Sequence, residues 1–444
     1  MEKAMQKPLI AVLLASAFFS LNARAADLIQ VYQQALANDA TYASARAAAN
    51  AGREKTTQGR SQLLPVVGVS GSFSKNNNDS APGVTDVNTG LMGVRSSQYT
   101  VSLTQPLFRW DRWQSYEQSK LQQAAAEATF AQAQQDLITR VAQAYFDVLA
   151  AQDTLQSTLA EKAAVTEQLA SAKRNFEVGT QTITDTHEAQ AAHDLVVSRE
   201  FTAINDLDNK RAALQAIIGT LPPSLATLKT GVALAPPTPA VVDPWISSAE
   251  GQNYNVMVSQ LNLESAKREI SRQRAGHMPT LDLVAASTHS HANGQFPISG
   301  TNNTRSIGVQ WNVPIFNGFA VTSKVRESIA LEDKARNDLE ANKRTAALQA
   351  RQAYLGVNSG LAQVKALEAA EVSSQSALES NKLGYQVGVR INIDVLNAQR
   401  QVYSTRTQLA LARYNTILNG LKLKAAAGSL REDDLVPVNN LLQK

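Results

Sequence analysis

Residues 176–190, FEVGTQTITDTHEAQ, and residues 385–399, YQVGVRINIDVLNAQ, share the phrase V-G-x(5)-D-x(3)-A-Q. A phrase used twice in one chain resembles a ligand motif, but its residue types also suit plainer work. Gly179 and Gly388 supply the left-handed residue that helix C-termini need. Asp185 and Asp394 suit the N-caps of the helices that return from each turn. Taken alone, Tyr385 fits interhelical packing and Arg390 a solvated loop charge. The other candidate for chemistry is His289-Ser290-His291, which places two imidazoles on one side of an extended segment as a metal pair would. A third ligand is not near, and His187, His193 and His277 form no cluster with acidic residues. Glycine-rich phosphate loops, nucleophile elbows and His-Glu-x-x-His patterns are missing, so neither catalysis, a metal nor a cofactor is expected.

The elements that carry the doubled phrase are long. Helix is predicted over 28–62, 114–178 and 184–218, and again over 244–274, 321–387 and 394–427. Leu137, Val141, Ala144, Val148, Ala151 and Leu155 recur at alternating spacings of four and three, a heptad seam whose small residues permit close packing. At about 1.5 Å per residue, 114–178 extends roughly 100 Å, the length of a rod rather than of a globular core helix.

Between the helices, four segments alternate with period two: PVVGVSGSFSK, YTVSLTQPLF, PTLDLVAAS and SIGVQWNVPIF. One face of each is small or polar, and each has about the length that crosses a bilayer at a tilt. Phe108, Trp110, Trp113, Trp311, Phe316 and Phe319 lie where an interfacial girdle belongs. Residues 76–98 and 289–304 read as polar surface loops. Four strands cannot close a barrel, and open edges in hydrocarbon leave backbone groups unpaired, so several chains must share one; three copies supply twelve strands.

The halves are duplicates. Tyr145 and Tyr354, Gly179 and Gly388, Asp185 and Asp394, and Gly219 and Gly428 all keep an offset of 209. Lys3 and Lys7 precede an apolar run and Ala23-Arg24-Ala25, which marks 1–25 as a secretory signal peptide. The expected organisation is then a first repeat over 26–220, a Pro-rich solvated linker over 221–243, a second repeat over 244–428 and a tail over 429–444. The formal charge of +4 falls by two once Lys3, Lys7, Arg24 and Glu2 leave with the signal, a balance that argues against nucleic acid as a partner. Cysteine is absent, which excludes disulfides and a lipid anchor on cysteine.

The duplicated layout, the paired VGT and VGV turns each followed by an aspartate, and the linked QPLF and VPIF resemble the TolC family of outer-membrane channel proteins over essentially the whole mature chain. The resemblance implies an α+β membrane protein: a homotrimer whose twelve-stranded β-barrel in outer-membrane lipid continues as a helical coiled-coil barrel across the periplasm. It further implies a passive exit duct for type I secretion or efflux, working with a periplasmic adaptor (membrane fusion) protein and an inner-membrane transporter. The missing lipidation cysteine leans toward the secretion branch. By the same resemblance the doubled turns form the periplasmic tip, with Tyr385 and Arg390 latched toward Thr184 and Asp185. Asp394 and Asn397 would ring the constriction, and an amide at the second position should weaken its field and any blockage by divalent cations. The heptads alone would also suit a periplasmic coiled-coil adaptor or spacer with no pore of its own.

Overall fold

The computed structural model describes residues 25–76, 94–220, 224–293 and 300–443. The expected signal peptide lies outside them except for Ala25, and so does most of the first polar loop. The chain runs α1 (Leu28–Asn38), α2 (Ala40–Ser61), β1 (Val66–Asn76), β2 (Val94–Phe108), α3 (Trp110–Glu177), α4 (Ile183–Ile218), α5 (Asp243–Gln252), α6 (Tyr254–Arg274), β3 (Thr280–Asn293), β4 (Gly300–Asn312), α7 (Ala320–Gln386), α8 (Asn392–Ala426) and α9 (Leu435–Asn439). The order from α1 to α4 recurs from α5 to α8. Helices α3 and α7 have 68 and 67 residues, and α4 and α8 have 36 and 35.

Two compact units divide these elements. One comprises Met1–Ser44, Ala133–Asn253 and Ala346–Lys444, and the other Ala45–Gln132 and Tyr254–Thr345. In the first unit the heptad seam of α3 is the core: Leu137, Val141, Ala144, Val148 and Ala151 are buried and Leu155 is half-buried. Phe146 packs on Tyr414 of α8 with ring centroids 5.5 Å apart. The Tyr414 hydroxyl donates to the Asp153 carboxylate at 2.5 Å. Burial raises the Asp153 carboxyl above its usual range, against the lowering effect of that bond.

Each helix expected to run unbroken through 28–62 or 244–274 is in fact two, because a buried polar residue breaks it. Asp39 takes an extended conformation between α1 and α2, caps Tyr42 N–H at 2.5 Å and accepts from both terminal guanidinium nitrogens of Arg140 at 3.1 and 3.2 Å. Burial pushes its carboxyl up, but the Arg140 and backbone bonds outweigh that and hold it below the usual range. Asn253 breaks the equivalent helix, and its amide donates to the Ala426 carbonyl at 3.0 Å. Gly428 there has φ +72°, and a Cβ on it would run into the Gln252 carbonyl, so only glycine allows this approach.

The linker is less solvated than expected. Leu225 and Ala226 are buried, Leu225 bridges to Ala26, and Leu228 bridges to Leu442 of the tail. The repeat-related tyrosines hold its two ends: Tyr145 donates to Ala226 O at 2.7 Å, and Tyr354 donates to Ala240 O at 2.7 Å. The tail is anchored by buried Leu430, Leu435 and Leu442.

In the second unit the four strands form one antiparallel sheet in the order β1-β2-β3-β4. The strands run further than their alternation suggested. Residues 94–98, 289–293 and 300–304, expected in loops, continue the ladder as far as Asn76↔Val94, Arg95↔Asn293 and Ala292↔Gly300. Polar side chains masked the pattern there without interrupting backbone pairing. The VPIF segment is the opposite case, since β4 ends at Asn312.

Candidate pore wall and closing turns

The register sorts the sheet into two chemically distinct faces. Gly68, Ser102, Ala286 and Ser306 stand in one cross-strand row, and Ser70, Thr100, Thr288 and Thr304 in the next. Ser72, Gln98, Ser290 and Asn302 follow on the same face. Thr100 and Thr288 hydroxyls meet at 3.0 Å. The opposite face carries Val67, Leu103, Ala285 and Ile307, then Val69, Val101, Ser287 and Arg305, with Leu283–Val309 and Leu281–Trp311 toward the helices. Val69 is 76% exposed, Ile307 79% and Trp311 72%, so among the described residues nothing covers this apolar face. Water would penalise that exposure; hydrocarbon would not. The aromatics expected in a girdle, Phe108, Trp110, Trp113, Trp311, Phe316 and Phe319, are all exposed at the helix-proximal end of the sheet. Strands β1 and β4 each have one unpaired edge.

His289 and His291 lie on the apolar face, and each meets a side chain of β4. His289 stacks on Tyr99 at 4.9 Å and meets Asn303 Oδ1 at 2.5 Å, while His291 meets Thr301 Oγ1 at 2.9 Å.

The doubled phrase forms two helix-to-helix turns in the first unit. Both glycines are left-handed, with φ of 75° at Gly179 and 76° at Gly388. Each closes a Schellman motif: Thr180 N–H donates to Asn175 O and Gly179 N–H to Phe176 O, and Val389 N–H donates to Gly384 O and Gly388 N–H to Tyr385 O. The aspartates are not N-caps. Thr182 caps α4, and Asp185 sits at the third helical position, where its carboxylate accepts from Thr182 N–H at 3.1 Å and from the Thr182 hydroxyl at 2.8 Å. The residue at the Thr182 position of the second copy is Ile391, which has no hydroxyl, and α8 starts without a side-chain cap. Asp394 is thereby left for Arg390, 3.7 Å away.

Within one chain, then, Tyr385 and Arg390 do not pair with Thr184 and Asp185 as expected. The Tyr385 hydroxyl accepts from the Gln181 amide, which joins the two turns, because the Asp185 carboxylate is already engaged by Thr182. Thr184 and Asn397 are exposed and Asp394 half-buried. Besides Gln181, sequence reasoning missed Asn392, fully buried at the start of α8. It accepts from Gln168 Nε2 at 2.6 Å and donates to Asp185 O at 3.1 Å, tying the hairpins together beneath the turns. Its position is Ile183 in the first copy, and that divergence was the available signal. Val165, Leu169, Ala172, Ala189, Ala192, Val196 and Leu396 pack around the same junction.

Comparison with known proteins places the chain in a family. Residues 31–220 and 245–429 match the model of the outer membrane efflux protein family, one match for each half. The chain is 35% identical over 418 residues to outer membrane protein TolC of Vibrio cholerae, covering 94% of this chain and 93% of that protein. It is 29% identical over 427 residues to the proteases secretion protein PrtF of Dickeya chrysanthemi, covering 94% and 91%. Among solved structures, the Campylobacter jejuni CmeC outer membrane channel superposes with a TM-score of 0.79 at 18% identity, covering 93% of this chain and 89% of that one. The pore-less spacer reading falls, since its heptads account for neither the two-faced sheet nor these relatives. The chain belongs to the outer membrane efflux protein family and is an outer-membrane exit duct.

Proposed function

We propose that three copies of this chain close one twelve-stranded barrel in the outer membrane and continue it as a helical tunnel, a passive duct that performs no catalysis. The observation that carries this reading is the sheet. A row of glycine, serine, threonine and asparagine suits a water-filled lumen, the bare Val69, Ile307 and Trp311 face suits lipid, and two unpaired edges require neighbours. A periplasmic adaptor and an inner-membrane transporter would supply the cargo. Secretion is the branch suggested by the similarity to a proteases secretion protein.

The two turns act as the closing tip. Tyr385 to Gln181 joins hairpins within a chain, while Arg390 holds Asp394 by an ion pair whose side chains are 58% and 35% exposed. A pair this wet contributes at most about 1 kcal/mol, so a docking partner can break it. Arg390, Thr184 and Asp185 are all accessible enough to re-pair between copies as the tip closes. Three copies of Asp394, with Asn397 one turn further on, then ring the constriction and favour cations.

Purified protein in a planar bilayer should show discrete, cation-selective steps, and a stable monomer without conductance overturns the duct. Asp394→Asn should reduce cation selectivity. Tyr385→Phe and Arg390→Ala should each enlarge the single-channel current; unchanged currents in both remove the tip assignment.

A further inference from the structure

The apolar face of the sheet changes character at the end away from the helices. Lys75 and Arg95 are direct cross-strand partners there, and Arg305 stands three rows nearer the helices, level with Val69 and Val101. By strand parity all three share the face of Phe73, Tyr99 and Ile307, together with His289 and His291. Among the described residues none of the three cations has a carboxylate partner. The contrast is with Arg109 at the helix-proximal end, which is bound to Asp282 at 2.6 Å. Like charges directly opposite on a sheet repel, so Lys75 facing Arg95 weakens the bare ladder. An anion seated between them turns that repulsion into attraction.

Which anion follows from the surroundings. Tyr99 stacked on His289, and Phe73 beside it, form an aromatic band 74% exposed at Phe73, which matches an interface between hydrocarbon and headgroups. Arg305, one row below Tyr99, has a side chain long enough to snorkel up to that band. Lys75 and Arg95 stand two rows above it, about 14 Å along a strand at 3.4 Å per residue. Cations at headgroup height, flanked by aromatics at the limit of the acyl chains, match a phosphate that is attached to a lipid. We propose that this outward face is a binding site for the phosphate groups of a phosphorylated outer-leaflet lipid, held by Lys75, Arg95 and Arg305. The proposal rests on the barrel reading above, which turns this face toward lipid and this end of the strands away from the periplasm.

The test uses the full assembled protein, reconstituted in phosphatidylcholine vesicles with bisphosphorylated lipid A, with the same lipid A after phosphatase treatment, or with inorganic phosphate in the buffer. Lipid retained after detergent extraction is counted by native mass spectrometry. The wild type should retain bisphosphorylated lipid A in preference to the dephosphorylated form. Each of Lys75→Gln, Arg95→Gln and Arg305→Gln should lower retention about fivefold, the effect of roughly 1 kcal/mol per cation at an anionic surface. The charge-keeping pair Arg95→Lys and Arg305→Lys should retain lipid A, which separates loss of charge from loss of fold. Conductance of every variant is read in the same preparation, so a failed barrel shows as lost channels and a failed lipid site as normal channels without lipid. Retention by the three glutamine variants equal to that of the wild type, with normal channels, overturns the proposal. So does displacement of lipid A by millimolar inorganic phosphate, which would mark a site for soluble anions.

Discussion

Asp185 and Asp394 hold the same place in the repeat and do different jobs, and the cause is one residue three positions earlier. Thr182 closes a reciprocal cap with Asp185, whereas Ile391 offers nothing to Asp394, whose carboxylate turns to Arg390 instead. One copy of the turn is therefore held by a reciprocal cap and the other by an exposed ion pair. Thr182→Ala should cost about 1 kcal/mol in chemical unfolding of the helical unit, as cap deletions do. Arg390→Ala should cost less than that, because its pair is exposed. Equal losses, or a larger loss for Arg390, would show that the second turn is not the weaker. Both glycines and both aspartates stood out in the sequence as a repeated phrase. Their partners did not, because a cap and an ion pair differ by the identity of a neighbour and not by the phrase itself. Gln181 was invisible for the same reason: no pattern marks an amide that meets a tyrosine 204 residues later.

The helices were legible because nothing competes with their periodicity over 68 residues, and the buried heptad seam from Leu137 to Ala151 follows from spacing alone. Their interruptions were not, since Asp39 and Asn253 break helices only through distant partners, Arg140 and the Ala426 carbonyl. Tyr145 and Tyr354 marked the duplication, but their service to the linker depends on carbonyls at Ala226 and Ala240. Tyr145 is fully buried, so Tyr145→Phe leaves the Ala226 carbonyl without this donor and should cost about 1–3 kcal/mol, against roughly 1 or less for Tyr354→Phe, whose bond is exposed. A second element-scale prediction concerns acid. Glu269 of α6 accepts from Arg272 at 2.6 and 2.7 Å and from Gln118 of α3 at 2.9 Å. These bonds, led by Arg272, lower its pKa from 4.5 to about 2. A carboxyl depressed by folding stabilises the folded state fully above its unfolded pKa and loses that contribution as pH falls through the folded one. The stability gap between wild type and Glu269→Gln should accordingly be constant from pH 7 to about 5 and close between pH 4.5 and 2. A gap that widens in acid would show that the carboxylate is strained rather than held.

At the scale of the whole molecule, the sheet has meaning only beyond one chain. Alternation in the sequence disclosed two faces, and the inability of four strands to close disclosed the need for copies. The extra strand length above the aromatic band stayed hidden, because there both faces are polar and the period carries no hydrophobic signal. Adjacent residues offer the sharpest check on the assignment of faces. Ile307 is 79% exposed on the apolar face, and Ser306 beside it lies in the row of Gly68, Ser102 and Ala286. Ile307→Arg should place a charge in hydrocarbon at a cost of about 2–4 kcal/mol per chain near the bilayer midplane, and three chains share the barrel, so insertion into vesicles should fail or fall sharply. Ser306→Arg should insert normally and instead shift the ion selectivity of the open pore toward anions, since three guanidinium groups would then line the lumen. Reversed outcomes, with Ser306→Arg blocking insertion and Ile307→Arg altering selectivity, would mean that the glycine and serine rows face the lipid.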